Sequence, residues 1–367
     1  MTLPTYEPRL PPTKNDPTRT RRILLSTALG VSTAMFLLLA IRGRGRSTSA
    51  DNAVKMESRA AVGVASTISL RSGLEMPAVG FGTCCRPSAK GEAIYKSTKL
   101  FLKSGGRLID TAMAYRNHVE IGRAVTKSGL PRSEIWITSK VAPNQAKNYD
   151  DCMYAVDDVL EELDTPYLDL LLIHSPKLGR KPTIELWKCL IESKRLGKTK
   201  SIGVSNFNKG EIEDIAEATD GTMPEANQIQ IHPWSSRAWK DLAIWQNENG
   251  IATIAYNSLG GSRYHRAEGS GSEWPSEVTR IAKRNGATEA QVLLRWALQR
   301  GLAVIPGSGR KEHILENLSL PEFRLSEGEM SDIERAEAPG AWWDEKRGPI
   351  KYDDEEAARP WEPRKYG

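Results

Sequence analysis

The sequence predicts an α/β protein built on a (β/α)₈ barrel, with a single hydrophobic, transmembrane-like helix in front of it. Three observations carry this. From Ala78 onward, short apolar runs alternate with longer amphipathic stretches, the pattern of parallel strands joined by crossover helices. There are eight such runs, the number that closes a barrel. Ahead of them, Ile23 to Ile41 is 19 residues without a formal charge, bracketed by arginines.

Taken in order, residues 1–22 are basic and proline-rich and read as disordered. As a helix, residues 23–41 would span about 28 Å, close to the thickness of a bilayer core. Ser26, Thr27, Ser32 and Thr33 interrupt the apolar run, but such hydroxyls can bond back to helix carbonyls. The segment reads as an uncleaved membrane anchor. The alternative is a secretory or arginine-rich organellar targeting peptide that is removed. Charge on both flanks leaves topology open, with the cytoplasmic side favoured for the rest of the chain. Residues 42–66 are small and polar and form a linker to a folded body over 67–340, followed by a tail over 341–367 that carries Trp342, Trp343 and Trp361.

Within the body the predicted strands are 78–82, 107–111, 135–140, 168–174, 201–206, 227–231, 253–257 and 303–307. Segments 150–163, 183–195 and 237–249 have the apolar spacing of helices. The gap from Asn257 to Ala303 holds a Gly- and Ser-rich excursion and a further helix near 287–300. A doubly wound sheet is the competing fold, but no intact G-x-G-x-x-G is present to support it.

The net charge of +5 is concentrated at the front, where residues 1–50 hold eight basic side chains against Glu7 and Asp16, so nothing calls for a nucleic-acid partner. Cys84, Cys85, Cys152 and Cys189 show no C-x-x-C spacing and are too few for a disulfide framework, which fits a reducing compartment. None of the five histidines has a His or Cys at metal-ligand spacing, so no metal is expected.

The polar residues that stand out end predicted strands: Asp110, Lys140, His174, Ser205 with Asn206, and Tyr256. In a barrel that rim is where catalytic groups gather. A charge closing an apolar strand costs desolvation unless it is paired, and Asp110 and Lys140, on successive strands, can pair with each other. Tyr115 would complete the cluster from the loop after Asp110. Each residue alone has a structural reading, and His232, beside Pro233, keeps it.

Five motifs occur in the order of a known family. They are Gly106-Arg107-Leu108-Ile109-Asp110-Thr111-Ala112-x-x-Tyr115, Leu172-Ile173-His174-Ser175-Pro176, Ile202-Gly203-Val204-Ser205-Asn206-Phe207, Asn227-Gln228-x-x-x-His232-Pro233 and Val304-Ile305-Pro306-x-Ser308. With them the chain resembles the aldo-keto reductases over roughly 67–340. The resemblance implies a catalytic tetrad in which Tyr115 is the general acid, Lys140 lowers its pKa, Asp110 holds the lysine and His174 orients the substrate oxygen. It further implies that Ser205, Asn206 and Gln228 hold a nicotinamide carboxamide and that Tyr256 stacks on the ring. Asn257, Ser258 and Leu259 would strap the pyrophosphate, and Ser308, Glu316 and Asn317 would lie near the adenosine end.

Cys84, Ser175 and Ala142 stand where the family often has tryptophans that line the substrate pocket, so a wider, more polar pocket is expected, with His174 as a further substrate contact. Gly307 and His313 replace a lysine and an arginine that hold the 2′-phosphate in the family, and Arg310 or Lys311 could substitute. NADP(H) is favoured, with NAD(H) possible. The reading is an enzyme that reduces a small-molecule aldehyde or ketone, membrane-associated through residues 23–41 and of open oligomeric state. A nicotinamide-binding regulatory or sensor subunit of a membrane partner is the alternative, and a membrane-tethered scaffold is a third.

Overall fold

The computed structural model describes residues 67–260 and 274–336. The chain begins there with an antiparallel hairpin of β1 (Thr67–Ser69) and β2 (Glu75–Pro77), in register from Thr67 opposite Pro77 to Ser69 opposite Glu75. Eight parallel strands follow in sequence order: β3 (Gly80–Gly82), β4 (Leu108–Asp110), β5 (Trp136–Val141), β6 (Leu168–Ile173), β7 (Thr199–Ser205), β8 (Ala226–Gln230), β9 (Ala252–Tyr256) and β10 (Ala303–Val304). The seam between β10 and β3 is closed by a parallel bridge from Val79 to Val304 and by the Val304 N–H donating to the Ala78 carbonyl at 2.8 Å. The result is the expected closed barrel.

Its outer helices are α1 (Gly91–Lys103), α2 (His118–Thr126), α3 (Tyr149–Glu162), α4 (Arg180–Arg195), α5 (Lys209–Glu217) and α6 (Arg237–Glu248). After β9 come α7 (Ser276–Arg284) and α8 (Glu289–Gln299), and after β10 come α9 (Lys311–Leu318) and α10 (Glu327–Arg335). Their starts follow from local chemistry. The Asn148 side chain accepts from the Asp151 N–H to cap α3, and Asn208 with Glu211 and Thr288 with Gln291 form reciprocal capping boxes on α5 and α8. Each strand of β4 to β6 is buried throughout, as expected where helices cover the outside and side chains fill the inside.

Inside the barrel, Leu108, Trp136, Leu170, Ala226, Ala252 and Ala303 pack together near the strand starts. The hairpin, which the sequence does not announce, closes this end. Leu70 and Met76 join the same cluster, with Met76 fully buried. Burying two such side chains contributes roughly 1.5–3 kcal/mol each. With the floor sealed, the opposite, C-terminal rim is where ligands can enter.

The hydrophobic helix over 23–41, the linker and the tail over 341–367 lie outside the described residues, and no helix among the described residues is long and apolar enough to cross a membrane. The cysteine reading is corrected in one respect: Cys152 on α3 is bonded to Cys189 on α4. Partners 37 positions apart on neighbouring helices leave no spacing motif to find.

Candidate active site

Three strand ends and one 3₁₀ turn place the chemistry. Asp110 ends β4 and Lys140 stands one residue before the end of β5, so the two strands, paired from Leu108–Trp136 to Asp110–Thr138, bring them together. Lys140 is fully buried and Asp110 nearly so. The Lys140 ammonium donates to both Asp110 oxygens at 2.7 and 2.9 Å, to the Thr111 carbonyl at 3.0 Å and to the Tyr115 hydroxyl at 3.4 Å. A buried lysine and aspartate alone would each be costly, and here each neutralises the other. Tyr115 is presented by a single 3₁₀ turn, Met113–Tyr115, which stops at Arg116 in the left-handed region at φ 55°. His174 follows β6 and meets Tyr115 edge-on, with ring centroids 5.7 Å apart.

The electrostatics follow from burial. Lys140 pulls the Tyr115 pKa down, as expected, but burial outweighs it and raises the pKa above its usual value. Burial works against the Lys140 ammonium, but the Asp110 charge and Tyr115 outweigh it and hold its pKa above the ordinary lysine value. Burial, followed by Lys140 and Lys177, lowers His174 to about 3, so its imidazole is neutral at working pH. The cluster therefore has a protonated phenol, a fixed cation behind it and a neutral imidazole beside it.

A second group continues from the first. The Gln228 side-chain amide donates to Asp110 at 2.7 Å, and the Ser205 hydroxyl donates to the Gln228 carbonyl at 2.8 Å. Asn206, at φ 63°, donates to the His174 carbonyl at 3.1 Å and the Ser205 hydroxyl at 3.0 Å, and accepts from the Tyr256 hydroxyl at 2.8 Å. Ser205, Asn206, Gln228 and Tyr256 thus form one hydrogen-bonded net across β7, β8 and β9 that ends on the Asp110 carboxylate. Because a carboxylate only accepts, the Gln228 nitrogen must face Asp110, leaving the amide oxygen as its group for another partner.

The remaining predicted residues are more dispersed. Asn257, Ser258 and Leu259 form the first turn after β9, where the Asn257 amide donates to the Gln230 side chain at 3.2 Å and Ser258 is buried. Ser308 lies in the turn between β10 and α9 and accepts from the Arg310 N–H at 3.1 Å. Asn317 is buried on α9, while the Glu316 carboxylate accepts from the Thr288 hydroxyl at the start of α8. Neither is joined to the tetrad. Ala142 is buried after β5, Ser175 is half-buried beside His174, and Cys84 is half-buried in the loop after β3.

Two residues escape the sequence reading. Asn117, fully buried, donates to the Thr83 and Ala89 carbonyls at 3.0 Å each and accepts from the Thr111 hydroxyl at 2.8 Å, tying the loop after β3 to the loop that presents Tyr115. Its only signal is an asparagine two positions beyond Tyr115. Arg86, whose guanidinium ties the loop after β3 to the Ser308 carbonyl at 3.3 Å, has none.

The chain as a whole is similar to known proteins. The model of the Aldo/keto reductase family matches residues 79–338. An aldo-keto reductase of Mycolicibacterium vanbaalenii is 38% identical over 268 residues, covering 73% of this chain and 91% of the relative. A morphine 6-dehydrogenase of Pseudomonas putida is 33% identical, covering 73% and 90%. The crystal structure of a Bombyx mori aldo-keto reductase in complex with NADP superposes with a TM-score of 0.66 at 28% identity, covering 75% of this chain and 93% of that one. With the family model spanning residues 79–338 and relatives 33–38% identical over about nine-tenths of their own length, the chain belongs to the aldo-keto reductase family and is an oxidoreductase.

Proposed function

We propose that the protein reduces an aldehyde or ketone to the alcohol with NADP(H), and that Tyr115, Lys140, Asp110 and His174 carry the reaction. The observation that carries this reading is the buried chain of contacts from Asp110 through Lys140 to the Tyr115 hydroxyl. The dinucleotide, when bound, supplies the hydride. The residues fit such a group: Ser205, Asn206 and Gln228 offer both donors and acceptors, as a carboxamide requires, and Tyr256 adds a ring beside them. Asn257, Ser258, Leu259, Ser308 and Asn317 follow along the rim. NADP in the Bombyx mori relative supports the choice of NADP(H) over NAD(H).

His174, neutral, donates a hydrogen bond to the substrate carbonyl oxygen and sets its direction. Tyr115 keeps its proton at neutral pH because burial disfavours the phenolate, and gives it to that oxygen as negative charge develops there. Lys140 stabilises the phenolate left behind, and Asp110 keeps the ammonium in place. With Cys84, Ala142 and Ser175 in place of large rings, the pocket accepts a bulky or hydrophilic carbonyl compound.

The test is cofactor oxidation at 340 nm with NADPH or NADH and a panel of aldehydes and ketones. Tyr115→Phe should lower turnover by about 10²- to 10⁴-fold and leave nucleotide binding in place. Tight NADPH binding with no turnover on any carbonyl would replace this reading with a sensor or regulatory subunit.

The cellular placement rests on the sequence. Residues 23–41 anchor the chain at a membrane with the barrel on the cytoplasmic side, import into an organelle being the alternative. The state of the Cys152–Cys189 pair in cells tests the reducing side: a free pair keeps it and a bonded pair overturns it.

A further inference from the structure

The segment that carries Tyr115 is held at both ends to one strand. At its start the Thr111 N–H donates to the Thr138 carbonyl of β5 at 2.9 Å, and the Lys140 ammonium reaches the Thr111 carbonyl. At its other end stands His118, the first residue of α2 and buried. Its Nε2 lies 3.1 Å from the Ser139 hydroxyl of β5, and its Nδ1 lies 2.9 Å from the carboxylate of Glu162, which ends α3. The bond to His118 is the main cause that holds the Glu162 carboxyl below its usual range. A carboxylate only accepts, so the Nδ1–H donates to Glu162, and Nε2 of the neutral ring accepts from the Ser139 hydroxyl.

Ser139 and Lys140 are neighbours on β5, and successive side chains of a strand point to opposite faces. Lys140 points into the barrel, onto Asp110 and Tyr115, so Ser139 points outward, to the start of α2. Tyr115 lies three positions before His118. The bond from His118 to Ser139 therefore joins, from outside the barrel, the two short segments whose inner side chains make the Tyr115–Lys140 contact. Asn117 fastens the same segment sideways, to the Thr83 and Ala89 carbonyls. The order hydroxyl, imidazole, carboxylate also occurs in hydrolytic triads. Here Ser139 and His118 are both buried, so no substrate reaches the hydroxyl, and what the group does is place the segment.

We infer that His118 is a positioning residue for proton transfer: through Ser139 it sets the separation of the Tyr115 hydroxyl from the Lys140 ammonium, 3.4 Å in the structure. That separation decides how strongly the cation favours the phenolate, because the attraction between charges grows as they approach. Loosening it removes stabilisation at the moment Tyr115 gives up its proton, while the groups on β7 to β9 stay as they are. A reacting group misplaced by about 1 Å costs on the order of 10²-fold in rate. This inference rests on the proposed role of Tyr115 as general acid.

The experiment compares the full-length parent with His118→Leu, Ser139→Ala and the double variant, using NADPH and a carbonyl compound that the parent reduces. Ser139→Ala deletes one oxygen, so it carries the test even where His118→Leu does not fold. Each single variant should lower kcat at least about tenfold and leave KM and the Kd of NADPH within about twofold. The double variant should be no slower than His118→Leu, since both changes remove the same bond. In the reverse direction, where Tyr115 must accept a proton, kcat rises with pH through the Tyr115 pKa; with less help from Lys140 that rise should move to higher pH. The solvent deuterium isotope effect on kcat should grow in step. A lowered Tm with kcat, pH profile and isotope effect as in the parent overturns the inference, as does a loss confined to KM or Kd, or a double variant whose losses multiply. Parent-like turnover by Tyr115→Phe would instead sink the general-acid role itself, and this inference with it.

Discussion

His174 and His232 are both held neutral by the fold. Burial lowers His232 to about 4, with Lys240 adding to the effect, and lowers His174 to about 3. The free imidazole value is near 6.5. Between pH 6.5 and about 4 the unfolded chain therefore binds protons that the folded chain does not, and stability falls as pH falls through that window. Thermal unfolding followed from pH 7 to pH 4 should show a declining Tm, and His232→Asn should flatten part of the decline; an unchanged slope would show that His232 is not a source of it. At this scale the sequence is informative where a side chain ends an apolar strand. Asp110, Lys140 and His174 are legible because polar groups at the close of buried strands need a reason. Asn117 and Arg86 are not, because what they do depends on loops meeting across the barrel: the Arg86 contact to Ser308 joins residues 222 positions apart.

Elements were more legible than their partners. The eight barrel strands lie where alternation places them, and the last is shorter than expected, Ala303–Val304 against 303–307, because Pro306 has no N–H to continue a ladder. The floor hairpin was not legible. Its strands are three residues each, too short for a period, and only the barrel end gives Leu70 and Met76 something to pack on. The Cys152–Cys189 pair shows the same limit. Both side chains are fully buried and their Cα atoms are 6.2 Å apart, within the span of a disulfide. Joining α3 to α4 in this way should contribute about 2–4 kcal/mol. Replacing both cysteines with serine should lower the urea midpoint of the oxidised protein, while the parent measured with a reductant should approach the double variant. No reductant effect on the parent would mean that the bond does not stabilise the fold.

At the scale of the whole molecule, eightfold alternation fits a closed barrel or a doubly wound sheet, and the absence of an intact G-x-G-x-x-G favoured the barrel that the strand order shows. The gap between β9 and β10 was legible as an excursion, and it holds two helices, α7 and α8, beyond residues 261–273, which lie outside the described part. The floor hairpin has a practical side. The described polypeptide enters the barrel through β1, at the end opposite the rim that carries Tyr115 and Lys140. A preparation captured on beads by a tag joined directly ahead of Thr67 would then present its rim to the bulk solution. Such an immobilised catalyst should keep the turnover per site of the free protein, whereas random coupling through amines, which include the exposed rim residue Lys177, should reduce it. Equal losses by both chemistries would place the entry of the chain and the entry of the substrate on the same side.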